Sequence, residues 1–84
     1  MINIYLFIEL LAAASVDATL DRLHDLEFVN CRIASLVQLS DEKLVAQLDC
    51  YSYADASKAV LEKIAPVDGI VQTNIIAAVR LVRR

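Results

Sequence analysis

Two cysteines, one histidine and eleven carboxylates are the side chains of this chain of 84 residues that could do covalent, acid–base or metal chemistry. Cys31 and Cys50 stand 19 positions apart with no further Cys and no clustered His beside them. That spacing indicates neither a disulfide framework nor a zinc pattern, so both read as small buried hydrophobes in a reducing cytoplasm. His24 lies beside Leu20 and Leu23 with no second His or Cys at ligand spacing, the pattern of a surface or boundary residue. A thiol nucleophile would need that histidine next to it, and it is remote in sequence from both cysteines. The acids are scattered over turns and helix exteriors rather than paired for general acid–base work. With a single glycine there is no glycine-rich phosphate cradle. The expectation is a protein that is not an enzyme and holds no metal or cofactor.

The elements around these residues follow from size and patterning. Eighty-four residues make one domain, 1–84, and a chain this short buries only about 60–65% of the surface its unfolded form exposes. A hydrophobic content of 58% and a mean hydropathy of +0.54 are high for a soluble monomer, which predicts a homodimer or a higher homo-oligomer. The apolar run over residues 2–16 is shorter than the roughly 20 residues of a membrane span and contains Asn3 and Glu9. No Lys or Arg precedes it, so it is a poor signal peptide, and a cytoplasmic protein without membrane contact is expected. The net charge is −3. Apart from Arg80, Arg83 and Arg84 at the end, the bases are Arg22, Arg32, Lys43, Lys58 and Lys63 against 11 acids. An acidic body repels phosphate backbones, so direct nucleic-acid binding is not expected. The arginine-rich end reads as a solubilising close to an apolar strand.

Residues 1–11 alternate as a strand, with Ile2, Ile4, Leu6, Ile8 and Leu10 on one face and Asn3, Tyr5, Phe7 and Glu9 on the other. Ser15 is a helix N-cap followed by Asp17 in the first turn, and Val16, Leu20, Leu23 and Glu27 keep helical spacing. Residues 28–39 form a second strand whose phase breaks near Ser35, the mark of a bulge or bend. Ser40, Asp41 and Glu42 are a hairpin turn into a third strand over residues 43–50. Ser52 and Asp55 resemble a capping box for a helix over residues 53–65, with Ala56, Ala59, Val60 and Ile64 buried and Lys58 and Glu62 as an outer i,i+4 pair. Pro66 ends it, and Asp68-Gly69 turns into a last strand over residues 70–81. Five apolar residues run without alternation from Ile75 to Val79, which predicts a strand covered on both faces and a second subunit against it.

Two βαβ halves joined by a hairpin make an α+β, ferredoxin-like βαββαβ domain: a four-stranded antiparallel sheet, first and third strands central, with two helices on one face. The other face, carrying Tyr5, Phe7, Val45, Gln47, Ile75 and Ala77, must meet solvent, a second subunit or a ligand. Uses of this fold that need a glycine-rich loop or a C-x-x-C, as in acylphosphatase-like and copper-chaperone-like proteins, lack those residues here. An RNA reader of this topology would want aromatics and glycines on its first and third strands. Tyr5 and Phe7 are present, but Leu44-Val45-Ala46 does not match.

The strand Leu44-Val45-Ala46, the helix residues Ala56, Val60 and Ile64, and Pro66 followed by Gly69-Ile70-Val71 and Thr73-Asn74 resemble the effector-binding and oligomerisation domain of Lrp/AsnC-type regulators, an ACT-like domain. The resemblance implies dimerisation through sheet faces and an amino acid or similar small effector bound at a subunit interface near Ser40, Asp41 and Glu42. Where that family has Gly-x-Tyr-Asp, this chain has Ser40-Asp41-Glu42-Lys43, and it has no helix-turn-helix. Glu42-Lys43-Leu44-Val45 and Val67-Asp68-Gly69-Ile70 also look like NapD-type chaperones, which hold the twin-arginine signal peptide of a redox enzyme on the bare sheet face. The last strand lacks that family's tyrosine-histidine ending. ACT domains proper share the topology, but their glycine-containing loop after the first strand is absent.

Overall fold

Alternation makes β1 (Ile2–Leu10): Ile4, Leu6, Ile8 and Leu10 are buried and the residues between them half-buried. The structure, a computed structural model, describes residues 1–80. Ser15 caps α1 (Val16–His24), its Oγ accepting from the Ala18 amide at 3.3 Å. Leu23 is buried and Val16 and Leu20 pack on the core, whereas the helix stops short of Glu27, which is exposed. Thr19 is also fully buried. Its hydroxyl donates to the Ser15 carbonyl at 2.9 Å, so burial leaves no polar atom unpaired.

Asn30 takes a left-handed backbone, φ 62°, which an extended strand cannot contain. For that reason β2 (Cys31–Ser40) begins after Asn30 and not at Phe28. Asp41 and Glu42 turn the chain into β3 (Lys43–Cys50). Ser52 caps α2 (Tyr53–Ala59) as expected: its Oγ accepts from the Asp55 amide at 3.1 Å and donates to Asp55 Oδ2 at 2.8 Å. The helix then widens into one π turn, Val60–Ile64, closed by the Ala65 amide donating to the Val60 carbonyl at 2.8 Å. The expected Lys58–Glu62 pair does not form, and Arg32–Asp49 is the one ion pair among the described residues. Gly69, at φ 95°, accepts from the Leu11 amide at 2.9 Å and leads into β4 (Ile70–Arg80). Leu81, Arg83 and Arg84, expected in the last strand and its basic end, lie outside the described residues.

The domain is α+β, and its four strands form one antiparallel sheet in the order β2-β3-β1-β4, with β1 and β3 central. Leu23, Ala56, Val60 and Ile64 from the helices share one core with Ile4, Leu6, Ile8, Leu44, Ala46 and Leu48. Both helices therefore cover the same face.

The edge strands are irregular. The β2–β3 register shifts between Ile33 and Ser35 and again between Gln38 and Ser40, so Ala34 and Leu39 are extra residues; the first is the bulge expected near Ser35. In β4, Leu6 faces Ile75 while its neighbour Tyr5 faces Ala77, which leaves Ile76 as an extra residue, and Val71 is a second. The run from Ile75 to Val79 is thus not covered on both faces within the chain. Ile76 is 55% and Val79 46% exposed, and the missing alternation is the bulge itself.

Candidate functional site

Register places the uncovered residues of all four strands in rows. The middle rows, read from β2 to β4, are Val37, Val45, Phe7 and Asn74, then Ser35, Gln47, Tyr5 and Ala77. One outer row is Ser40, Lys43, Glu9 and Gln72, and the other is Arg32, Asp49, Asn3 and Val79. The result is an apolar band of Val37, Val45, Phe7 and Tyr5 with charged residues at each end. Val37 is 52% exposed, and the aromatic pair and Val45 are half-buried by their neighbours alone. Arg32 donates through Nε and a terminal nitrogen to Asp49 Oδ2 at 3.3 and 3.2 Å, which fixes one corner of the face. The face holds two acids and two bases, so it is charge-balanced although the body is acidic.

Five of the six residues expected on this face are there together: Tyr5, Phe7, Val45, Gln47 and Ala77. Ile75 is not. It faces Leu6 and packs against the core, because the extra residue Ile76 reverses the phase between it and Ala77. Val37 also belongs to the face, and the bulges at Ala34 and Leu39 on either side of it hide this from strict alternation; Val79 belongs there too, two residues on from Ala77.

Ser40, Asp41 and Glu42, the expected effector loop, form the exposed tip of the β2–β3 hairpin. Their polar groups largely serve the turn. Ser40 Oγ accepts from the Glu42 amide at 3.4 Å, the Ser40 carbonyl from Gln38 at 3.2 Å, and the Glu42 carbonyl from the Leu10 amide at 2.7 Å. A groove of about 340 Å³ lies elsewhere, between Phe28–Asn30 and α2, with Lys58, Lys63, Asp55 and Glu62 on its walls.

The cysteines overturn the reading of two unpaired thiols. Cys31 and Cys50 are register partners in β2 and β3, with Cα atoms 4.1 Å apart, and form a disulfide. Cys50 is fully buried and Cys31 half-buried. His24 lines a shallow groove together with Cys31, but a sulfur held in a disulfide is not a thiolate nucleophile. Among the described residues no cluster of three or more His, Cys, Asp or Glu could hold a metal ion, and no helix is long and apolar enough to cross a membrane. Comparison with protein-family models, with curated proteins and with solved structures gives no match to this chain.

Proposed function

We propose that this chain is a small non-catalytic regulatory domain of ferredoxin-like topology, similar to stand-alone Lrp/AsnC effector domains, that works as a homodimer with its open sheet face buried against a second copy. The observation that carries this reading is the apolar band of Tyr5, Phe7, Val45 and Val37 on a sheet whose other face is already filled by the core. A small domain gains the burial it lacks by covering such a band. Central β1 and β3, with a helix inside each half, support the ferredoxin-like assignment. An amino acid or similar effector would bind at the subunit interface beside Ser40, Asp41 and Glu42, where the outer row with Glu9 and Lys43 meets the hairpin tip. The charge balance of the face favours a second copy over a twin-arginine signal peptide, which would find no acidic excess there. The Cys31–Cys50 bond favours an oxidising compartment over the cytoplasm.

Sedimentation equilibrium on the full chain and on the Tyr5→Ser/Phe7→Ser variant tests the reading. A dimer at micromolar concentration that the double variant converts to a folded monomer is expected. A monomeric parent with its face open would overturn it and leave the peptide-binding chaperone as the better account. A thermal-shift screen of amino acids then reads the effector, since a ligand that binds the folded dimer raises its apparent stability by mass action.

A further inference from the structure

We infer that the two copies meet about a two-fold axis running parallel to the strands between β1 and β3, so that Glu9 of each copy lies opposite Lys43 of the other. This rests on the proposed burial of the open face and adds to it a specific pairing. A two-fold axis relating two facing sheets lies in the plane between them, and for aligned sheets it runs either along the strands or across them.

The two choices pair different residues. An axis along the strands keeps each row and exchanges β1 with β3. Phe7 then meets Val45 of the other copy, Tyr5 meets Gln47, and Glu9 meets Lys43. An axis across the strands keeps β1 on β1 and reverses the rows. Glu9 then meets Asn3 with no cation, Val45 meets Gln47, and Lys43 competes for an Asp49 that Arg32 already holds at 3.2 Å. A carboxylate half-buried at a contact without a counter-charge is unfavourable, so charge pairing selects the first arrangement. Glu9 and Lys43 are also register neighbours within one chain, yet the single ion pair among the described residues is Arg32–Asp49, which leaves both to pair across the interface.

The area suits a dimer that depends on such pairing. Four strands about 4.8 Å apart and seven residues at about 3.4 Å give a face of roughly 450 Å² in projection. Two corrugated copies reach only the lower end of the about 1,200–2,000 Å² buried in a standard interface.

Glu9→Lys and Lys43→Glu, each in the full chain, test the register by sedimentation at about 0.15 M salt. Each homodimer places like charges together twice and should dissociate roughly five- to tenfold more readily than the parent. An equimolar mixture of the two variants restores both attractions in the heterodimer and should associate as tightly as the parent. A within-chain effect cannot be rescued by mixing, so a mixture no tighter than the separate variants overturns the register. Raising salt from about 0.05 to 0.5 M should weaken the parent dimer and strengthen both variant homodimers; no opposite trend would likewise overturn it. A parent dimer that Tyr5→Ser/Phe7→Ser breaks, with no recovery on mixing, sinks the register alone, whereas a monomeric parent sinks the proposed function with it.

Discussion

Reducing the Cys31–Cys50 disulfide should cost the fold about 3 kcal/mol. The bond joins residues 19 apart, and closing a loop of that length in the unfolded chain removes about that much conformational freedom. Its position makes the loss felt. β2 is an edge strand that pairs only with β3, most of its residues are exposed, and its hold on the core comes from Cys31, Ile33 and Leu36. The bond fastens the end of β2 farthest from the hairpin turn. For a domain of this size each kcal/mol moves the melting midpoint by about 4–8 °C, so reduction should lower it by roughly 12–24 °C. Circular dichroism melts with and without a phosphine reductant, at matched protein concentration, read the shift, and a thiol titration before each melt verifies the covalent state. A reductant is a cleaner probe than Cys50→Ala, because that variant also leaves a gap at a fully buried position. Two titratable thiols in the untreated protein, or a reduced form that melts within a few degrees of the oxidised one, would refute the reasoning.

Gly69→Ala should destabilise by about 1–3 kcal/mol in urea unfolding, since φ is 95° and a Cβ there would meet Thr19 Oγ1 at 3.1 Å and the Ala14 Cβ at 3.2 Å; a neutral result would mean that the turn relaxes freely. Ser52→Ala removes the hydroxyl that caps α2 and should cost about 1 kcal/mol, with Ser52→Gly losing less; equal losses would show that the cap hydrogen bond is not the cause.

Much of this fold is legible in the sequence wherever a strand is central and covered on one face. β1 and β3 alternate residue by residue because each inward side chain is held by the core while its neighbours face the open side. The caps at Ser15 and Ser52 are legible for a similar local reason, each being a short side chain within reach of one amide. The buried Thr19 is not, because its pairing with its own helix backbone removes the penalty that ordinarily keeps a hydroxyl at the surface. Nor is the π turn at Val60–Ile64, which leaves the apolar stripe of Ala56, Ala59, Val60 and Ile64 buried as a regular helix would.

The misread strand pairings share one physical origin. Edge strands have a free side and can take in an extra residue without breaking a second ladder, and β2 and β4 each contain two. One extra residue reverses the phase of everything beyond it, which is why Ile75 joins the core and Ala77 the open face. The same events made the disulfide. A regular hairpin with Ser40 opposite Lys43 would place Ile33 across from Cys50; the insertions at Leu39 and Ala34 each slide β2 by one residue, and together they bring Cys31 to that position. Deleting both Ala34 and Leu39 takes out the two unpaired residues and leaves every remaining pair in place, from Ser40 with Lys43 to Cys31 with Cys50, so a regular hairpin should fold with its disulfide intact and show no titratable thiol. Keeping both residues but forcing the ladder to be regular would instead set Ile33 across from Cys50. Two titratable thiols in the folded double-deletion variant would show that β2 does not take its register from the hairpin turn.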